Sequence, residues 1–105
     1  MGERKISSKV TKIVRYFIER LEEDGIKVSK VVIFGSQADG TVHRDSDIDV
    51  IVVSEKFRGK NLFKRVDLTY IAYSATIDKF ITPMDIVLET PEEFNPDFGV
   101  VVYAA

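Results

Sequence analysis

Apolar residues recur at three- and four-residue intervals from Ile6 through Val10, Ile13, Val14, Phe17, Ile18 and Leu21, and that spacing predicts an amphipathic helix over residues 7–24. Ser7 or Ser8 can cap its start, and Gly25 stands where a left-handed residue closes a helix. The rhythm then shortens. Residues 30–34 form a short apolar run, predicted as a strand stopped by Gly35, and residues 36–41 read as a short helix or turn bounded by Gly40. Residues 47–53 are predicted as a second strand, with Ile48, Val50 and Val52 on one face and Asp47, Asp49, Ile51 and Val53 on the other. Both faces turn apolar after Asp49, so the strand is expected inside a sheet covered on both sides, with the acids at its rim.

A charged loop over residues 54–60 leads to a predicted helix over residues 61–80, whose buried stripe is expected to be Phe63, Val66, Tyr70, Tyr73 and Ile77. Pro83 introduces a third strand, residues 84–88. Thr90-Pro91-Glu92-Glu93 spells a helix start, with a Thr cap, Pro at the first position and Glu three residues after the cap. Asn95-Pro96 must end that helix quickly, and residues 100–103 read as a last strand. The pattern implies an α/β fold, a small mixed sheet flanked by helices. No repeat or linker interrupts it.

Composition narrows the class. A length of 105 residues is expected to make one domain, 1–105, and 45% hydrophobic with 30% charged residues fits a soluble globular protein. No apolar run reaches the ~18 residues of a membrane span, and the N-terminus lacks a signal-peptide core. The absence of cysteine excludes disulfides and thiolate metal sites, and fits a cytoplasmic location. With 15 basic and 17 acidic residues the net charge is −2, which does not suit a generic nucleic-acid binder.

The chemistry lies in residues 34–49, FGSQADGTVHRDSDID. Gly35-Ser36 ends one apolar strand; ten residues later Asp47-Ile48-Asp49 opens another. Asp85 stands alone in a third apolar run, Met84-Asp85-Ile86-Val87-Leu88. Two carboxylates ~4 Å apart repel by about 4 kcal/mol at the effective dielectric near a protein surface, so grouping them is unfavourable unless cations fill the gap. Oxygen ligands beside a phosphate site suit Mg²⁺, or Mn²⁺, and two ions would fit a two-metal scheme. The plain alternatives are a solvated Asp45-Ser46-Asp47 turn with Asp49 exposed at a strand edge, a salt bridge or solvated strand end for Asp85, and an N-cap role for Ser36. His43 is read as an exposed loop residue without a role.

Taken together, Gly35-Ser36, the ten-residue spacing, Asp47-x-Asp49 and a later strand carrying Asp85 resemble the minimal nucleotidyltransferases of the DNA polymerase beta-like superfamily. The resemblance covers roughly residues 28 to 94. It implies that family's α/β core and transfer of a nucleoside monophosphate from NTP, ATP in particular, to an acceptor hydroxyl, with release of pyrophosphate. It implies that Gly35 and Ser36 bind the β- and γ-phosphates, that Asp47 and Asp49 ligate two Mg²⁺ ions, and that Asp85 completes the catalytic metal site and serves as base or orients the acceptor. The family often places a basic residue just after the Gly-Ser pair and another two positions on; here those positions hold Gln37 and Asp39. Arg44, or Lys56, Arg58, Lys60, Lys64 and Arg65, are candidates to compensate; the alternative for the latter stretch is a solvated face. Larger members carry a helical domain that grips base and acceptor, so a partner or a second copy is expected to complete the acceptor site. Minimal members are often paired with a helical HEPN-type toxin as MntA-type antitoxins, in some cases adding AMP to a toxin tyrosine. Two functions follow: an enzyme that modifies such a partner, or a binding module that neutralises it by contact over a weak or vestigial nucleotide site. Nucleotidylation of a small molecule is a third.

Overall fold

The computed structural model describes residues 6–35 and 47–105. The predicted turn at 36–41, and with it Ser36, Gln37, Asp39, His43 and Arg44, lies outside the described residues. Helix α1 (Ser8–Glu23) starts where the sequence places it, with the Ser7 hydroxyl accepting from the Val10 N–H at 3.2 Å. It ends in a paired closure: Gly25, at φ 86°, donates to the Glu22 carbonyl, and Ile26 donates to Leu21. Its buried residues are Val10, Ile13, Val14, Phe17, Ile18 and Leu21, the stripe expected from their spacing.

Strands β1 (Lys30–Phe34), β2 (Ile48–Val53), β3 (Met84–Glu89) and β4 (Val100–Ala104) form one sheet in the order β3-β2-β1-β4. β1 runs antiparallel to both β2 and β4, and β2 runs parallel to β3, so the sheet is mixed. The parallel pair needs a crossover, and helix α2 (Leu62–Phe80) supplies it. Both helices pack on one face, against Val31, Ile33, Val50 and Val52. Each such fully buried aliphatic or aromatic side chain stabilises the fold by about 1.5–3 kcal/mol. The opposite face carries a smaller cluster, Val32, Ile51 and Val53, under Phe94 and beside Phe34. β2 is therefore interior and covered on both sides, as its sequence implies.

Three expectations are corrected. The inner face of α2 is small and polar rather than aromatic: Thr69, Ala72 and Thr76 are buried, with Leu68, Tyr73, Ile77 and Phe80 partly so. Phe63 is 82% exposed, and Val66 and Tyr70 also face solvent. Small residues let α2 approach closely, and the Thr76 hydroxyl is satisfied by donating to the Ala72 carbonyl at 2.8 Å. The loop at 54–60 contains a single 3-10 turn, Glu55–Phe57, that buries Phe57 completely. At Thr90 the reciprocal cap forms, with the Thr90 N–H donating to the Glu93 carboxylate at 2.9 Å and the Glu93 N–H to the Thr90 hydroxyl at 3.3 Å. No helix follows; the chain makes one turn, because Asn95-Pro96 cannot continue it.

Candidate active site

The acids meet at one rim of the sheet. Antiparallel pairing sets Phe34, the last residue of β1, opposite Asp49 near the start of β2; parallel pairing sets Asp49 beside Asp85 near the start of β3. Residues in register share a face, so Asp85, Asp49 and Phe34 lie in a row across three strands, on the face away from the helices. Asp47, just before β2, is exposed and close enough to act on Asp49. Gly35 follows β1 at the same rim.

The Asp49 carboxyl is pushed above its ordinary value of 3.8, first by burial, then by the negative charges of Asp85 and Asp47. Burial and neighbouring negative charge both favour the protonated form. Asp85 itself is exposed, so its placement is not explained by burial in an apolar run; its meaning comes from standing beside Asp49. Gly35 has φ 72°, and a Cβ there would fall on the Asp49 Oδ2 and lie 3.2 Å from its Cγ. Only glycine lets the end of β1 sit this close to the acid.

Among the described residues no three His, Cys, Asp or Glu side chains converge on one point as they would around a bound ion. The donor set nevertheless fits a hard divalent cation: carboxylates alone, partly exposed, mutually repelling, with a side chain-free approach at Gly35.

Two of the cations named from sequence are committed elsewhere. The Arg65 guanidinium, 13% exposed, donates to the carbonyls of Lys60 and Leu88 and pairs with Glu93 at 2.7 Å. Arg58 bridges Glu55 and Glu92. Arg65 thereby holds Glu93 down to about 2, helped by the Thr90 N–H. Leu88 lies three residues along β3 from Asp85, ~10 Å at strand rise, so Arg65 braces the far end of the sheet. The rim has an aromatic side that the sequence reading did not single out. Phe98 packs on Phe34 with ring centroids 5.2 Å apart and planes tilted by 44°. The available signal was position: each phenylalanine directly precedes a glycine at a strand end.

A mixed four-stranded sheet with two helices on one face is an α/β fold that solved nucleotidyltransferase structures share. The chain belongs to the nucleotidyltransferase domain family, whose model matches residues 14–102. No curated protein matches it. Among solved structures it is similar to a candidate nucleotidyltransferase of Sulfolobus solfataricus, at 22% identity over 96% of this chain and 87% of that one, with a TM-score of 0.64. It is also similar to a toxin–antitoxin structure with AMP-PNP, at 22% identity, 85% and 72% coverage and a TM-score of 0.56. BolA1 of Arabidopsis thaliana shares the fold too, at 26% identity, 75% and 96% coverage and a TM-score of 0.52. Fold alone therefore does not assign an activity here; the transferase class rests on the family match.

Proposed function

We propose that this chain is a Mg²⁺-dependent nucleotidyltransferase that moves a nucleoside monophosphate, AMP from ATP, onto a hydroxyl of a partner protein, acting as the antitoxin of a HEPN-type toxin. The observation that carries the reading is the in-register pair Asp49 and Asp85, with Asp47 alongside and the bare Gly35 backbone against Asp49. The family match supports the reaction class, and the toxin–antitoxin neighbour with AMP-PNP supports nucleotide and partner.

Asp47 and Asp49 would hold two divalent ions, Mg²⁺ or Mn²⁺, and Asp85 would complete one of the sites. When bound, such ions neutralise the triphosphate and the charge that grows on the leaving pyrophosphate. Gly35 would admit the triphosphate close to the backbone, and Ser36 is the phosphate-binding residue that the family resemblance implies. Asp85, exposed at the outer strand, orients the acceptor hydroxyl and takes its proton. The acceptor oxygen bonds to the α-phosphorus as the bond from that phosphorus to pyrophosphate breaks. Positioning and charge neutralisation suffice; no protein nucleophile is required.

A second reading, neutralisation by contact, draws on one feature of the structure. Leu62, Phe63, Val66 and Tyr70 leave the outer face of α2 apolar and exposed, which suits a protein-binding surface. Calorimetric titration with Mg²⁺ and AMP-PNP tests the enzyme reading. Asp47→Asn, Asp49→Asn and Asp85→Asn are each expected to weaken binding; unchanged affinity in all three removes the metal assignment and leaves contact as the function.

A further inference from the structure

We infer that the acceptor is an extended segment of the partner protein that adds to the outer edge of β3, with its hydroxyl-bearing residue opposite Asp85. The inference rests on the transferase reading above and adds to it the form in which the acceptor arrives.

β3 is the outer strand of the described sheet, beyond β2. The Ile48 N–H donates to the Pro83 carbonyl and the Ser54 N–H to the Glu89 carbonyl, so the odd-numbered residues of β3 turn their backbone groups toward β2. Met84, Ile86 and Leu88 turn theirs outward. Two of those carbonyls are met from α2: the Tyr73 hydroxyl donates to Met84 at 3.3 Å and the Arg65 guanidinium to Leu88 at 2.9 Å. Among the described residues nothing meets the Ile86 N–H and C=O between them. The two braces are four residues apart, about 13 Å at strand rise, which leaves room for about three residues of a further strand. Only a chain with unpaired donors and acceptors of its own completes such an edge; a helix has already paired its own.

Alternation fixes where each side chain of that segment falls. In an antiparallel pair the residue opposite Ile86 exchanges both backbone bonds with it and points to the helix side. There α2 and β3 enclose a cleft of about 340 Å³, walled by Val66, Tyr70, Tyr73, Ile86 and Leu88 and reaching Asp85. Val66 and Tyr70, 47% and 59% exposed, form its outer lip, so this position takes an apolar side chain. Its neighbour, opposite Asp85, points to the other face, which carries Asp49 and Asp85. Cross-strand neighbours have Cβ atoms about 5 Å apart, so a hydroxyl there reaches the Asp85 carboxylate. The groups then run in order along the rim, with phosphates at Gly35, metals at Asp49 and the acceptor beyond Asp85. The acceptor oxygen bonds to the α-phosphorus, pyrophosphate leaves with the bonding pair, and Asp85 takes the proton.

Charge decides between a partner segment and a second copy of this chain. Asp85 and Glu89 share one face of β3 with Asp49 of β2, so pairing with the β3 of a second copy would bring further carboxylates onto an acidic face. The expected occupant is a neutral or basic segment in which a hydroxyl-bearing residue adjoins a large apolar one.

The test uses the capped peptide Lys-Val-Thr-Val-Thr-Val-Lys and its variants, with binding read by fluorescence anisotropy and transfer by α-labelled ATP with Mg²⁺. In an extended peptide the valine N–H groups line one edge and the threonine N–H groups the other. N-methylation of the valines is expected to weaken binding by about tenfold or more, through loss of the bonds to Ile86. N-methylation of the threonines should leave binding unchanged, and alanine in place of both threonines should keep binding and lose transfer. Ile86→Pro removes the outward N–H without touching a bond to β2, and it should weaken peptide binding by a similar factor while AMP-PNP binding is kept. Val66→Asp, at an exposed helix position on the lip of the cleft, should do the same and serves if Ile86→Pro does not fold.

Binding that survives valine methylation, falls equally with threonine methylation, or is absent from the wild type overturns the added strand and leaves the nucleotide site standing. A peptide that binds without taking label, on a protein that binds AMP-PNP with Mg²⁺, overturns the acceptor role. A wild-type dimer that Ile86→Pro dissociates assigns the edge to a second copy and overturns it too. A wild type that binds no AMP-PNP removes the transferase reading itself, a result read separately from peptide binding, and the acceptor role falls with it.

Discussion

Replacing Asp85 by Asn is expected to stabilise the metal-free protein. Asp85 and Asp49 are register partners on adjacent strands, about 5 Å apart at ordinary strand spacing. Two unit charges at that distance repel by about 3 kcal/mol at an effective dielectric of 20. Asp85 is exposed and Asp49 only half-buried, so solvent screening reduces this to the range measured for exposed and cross-strand pairs. A gain of about 0.5–1 kcal/mol follows, or roughly 2–6 °C in Tm for a chain of this size. The pH dependence fixes the cause. Because the folded-state pKa of Asp49 is raised above 3.8, the folded protein binds that proton more tightly than the unfolded chain does. The resulting stability is fully present below pH 3.8 and is lost as pH rises through the higher folded value. Asp85→Asn should therefore gain most at neutral pH, and the gain should shrink as pH falls and Asp49 takes up its proton. Urea denaturation in EDTA at pH 3 and pH 7 measures this directly, and added Mg²⁺ should raise the stability of the wild type more than that of the variant. A variant less stable than wild type at pH 7, or one with the same gain at both pH values, refutes the reasoning.

Arg65→Ala should destabilise the fold by about 2 kcal/mol, because it removes one charge-assisted brace between α2, β3 and the Thr90 turn; chemical denaturation measures the loss. With its partner Glu93 held down to about 2, the share of the wild-type advantage that comes from the Glu93 pair should be full above pH 4.5 and be lost as pH falls toward 2, while the share from the Lys60 and Leu88 carbonyls stays. Gly35→Ala should lower stability by at least about 1 kcal/mol, the approximate cost of a left-handed residue other than glycine. It should also abolish AMP-PNP binding by pushing the Asp49 carboxylate aside; a thermal melt and a titration on the same preparation check both.

How far the sequence carried the structure depends on how local each signal was. The first helix, with Ser7, its apolar stripe and Gly25, was legible because cap, period and closure all sit within one element. β1 and β2 were legible for the same reason, and the rim position of Asp49 followed from alternation alone. The inner face of α2 was not. Hydrophobicity favours large residues, whereas close packing against α1 and the sheet selected Ala72 and Thr76 and turned Phe63 outward. The reciprocal cap at Thr90 and Glu93 was read correctly as a set of hydrogen bonds and wrongly as a helix, since Pro96 limits it to one turn. The neighbours Asp49 and Asp85 are 36 positions apart in the chain, and no periodicity announces their register. Phe98 beside Phe34 is likewise a product of sheet order, and Arg58 and Arg65 read as a basic stretch until their acidic partners on another segment came into view.

The central claim, that this acid rim transfers a nucleotide, is tested most directly by following radiolabel from ATP. The protein is incubated with its natural partner, Mg²⁺ and ATP labelled in either the α- or the γ-phosphate, and the partner is then separated and counted. The account predicts that the α-label appears covalently on the partner and the γ-label does not. It also predicts that Asp47→Asn combined with Asp49→Asn abolishes transfer while leaving partner binding intact. Label from the γ-phosphate, or a double variant that still transfers, would contradict the account, and a wild type that binds and neutralises its partner without transferring either label would replace it with neutralisation by contact.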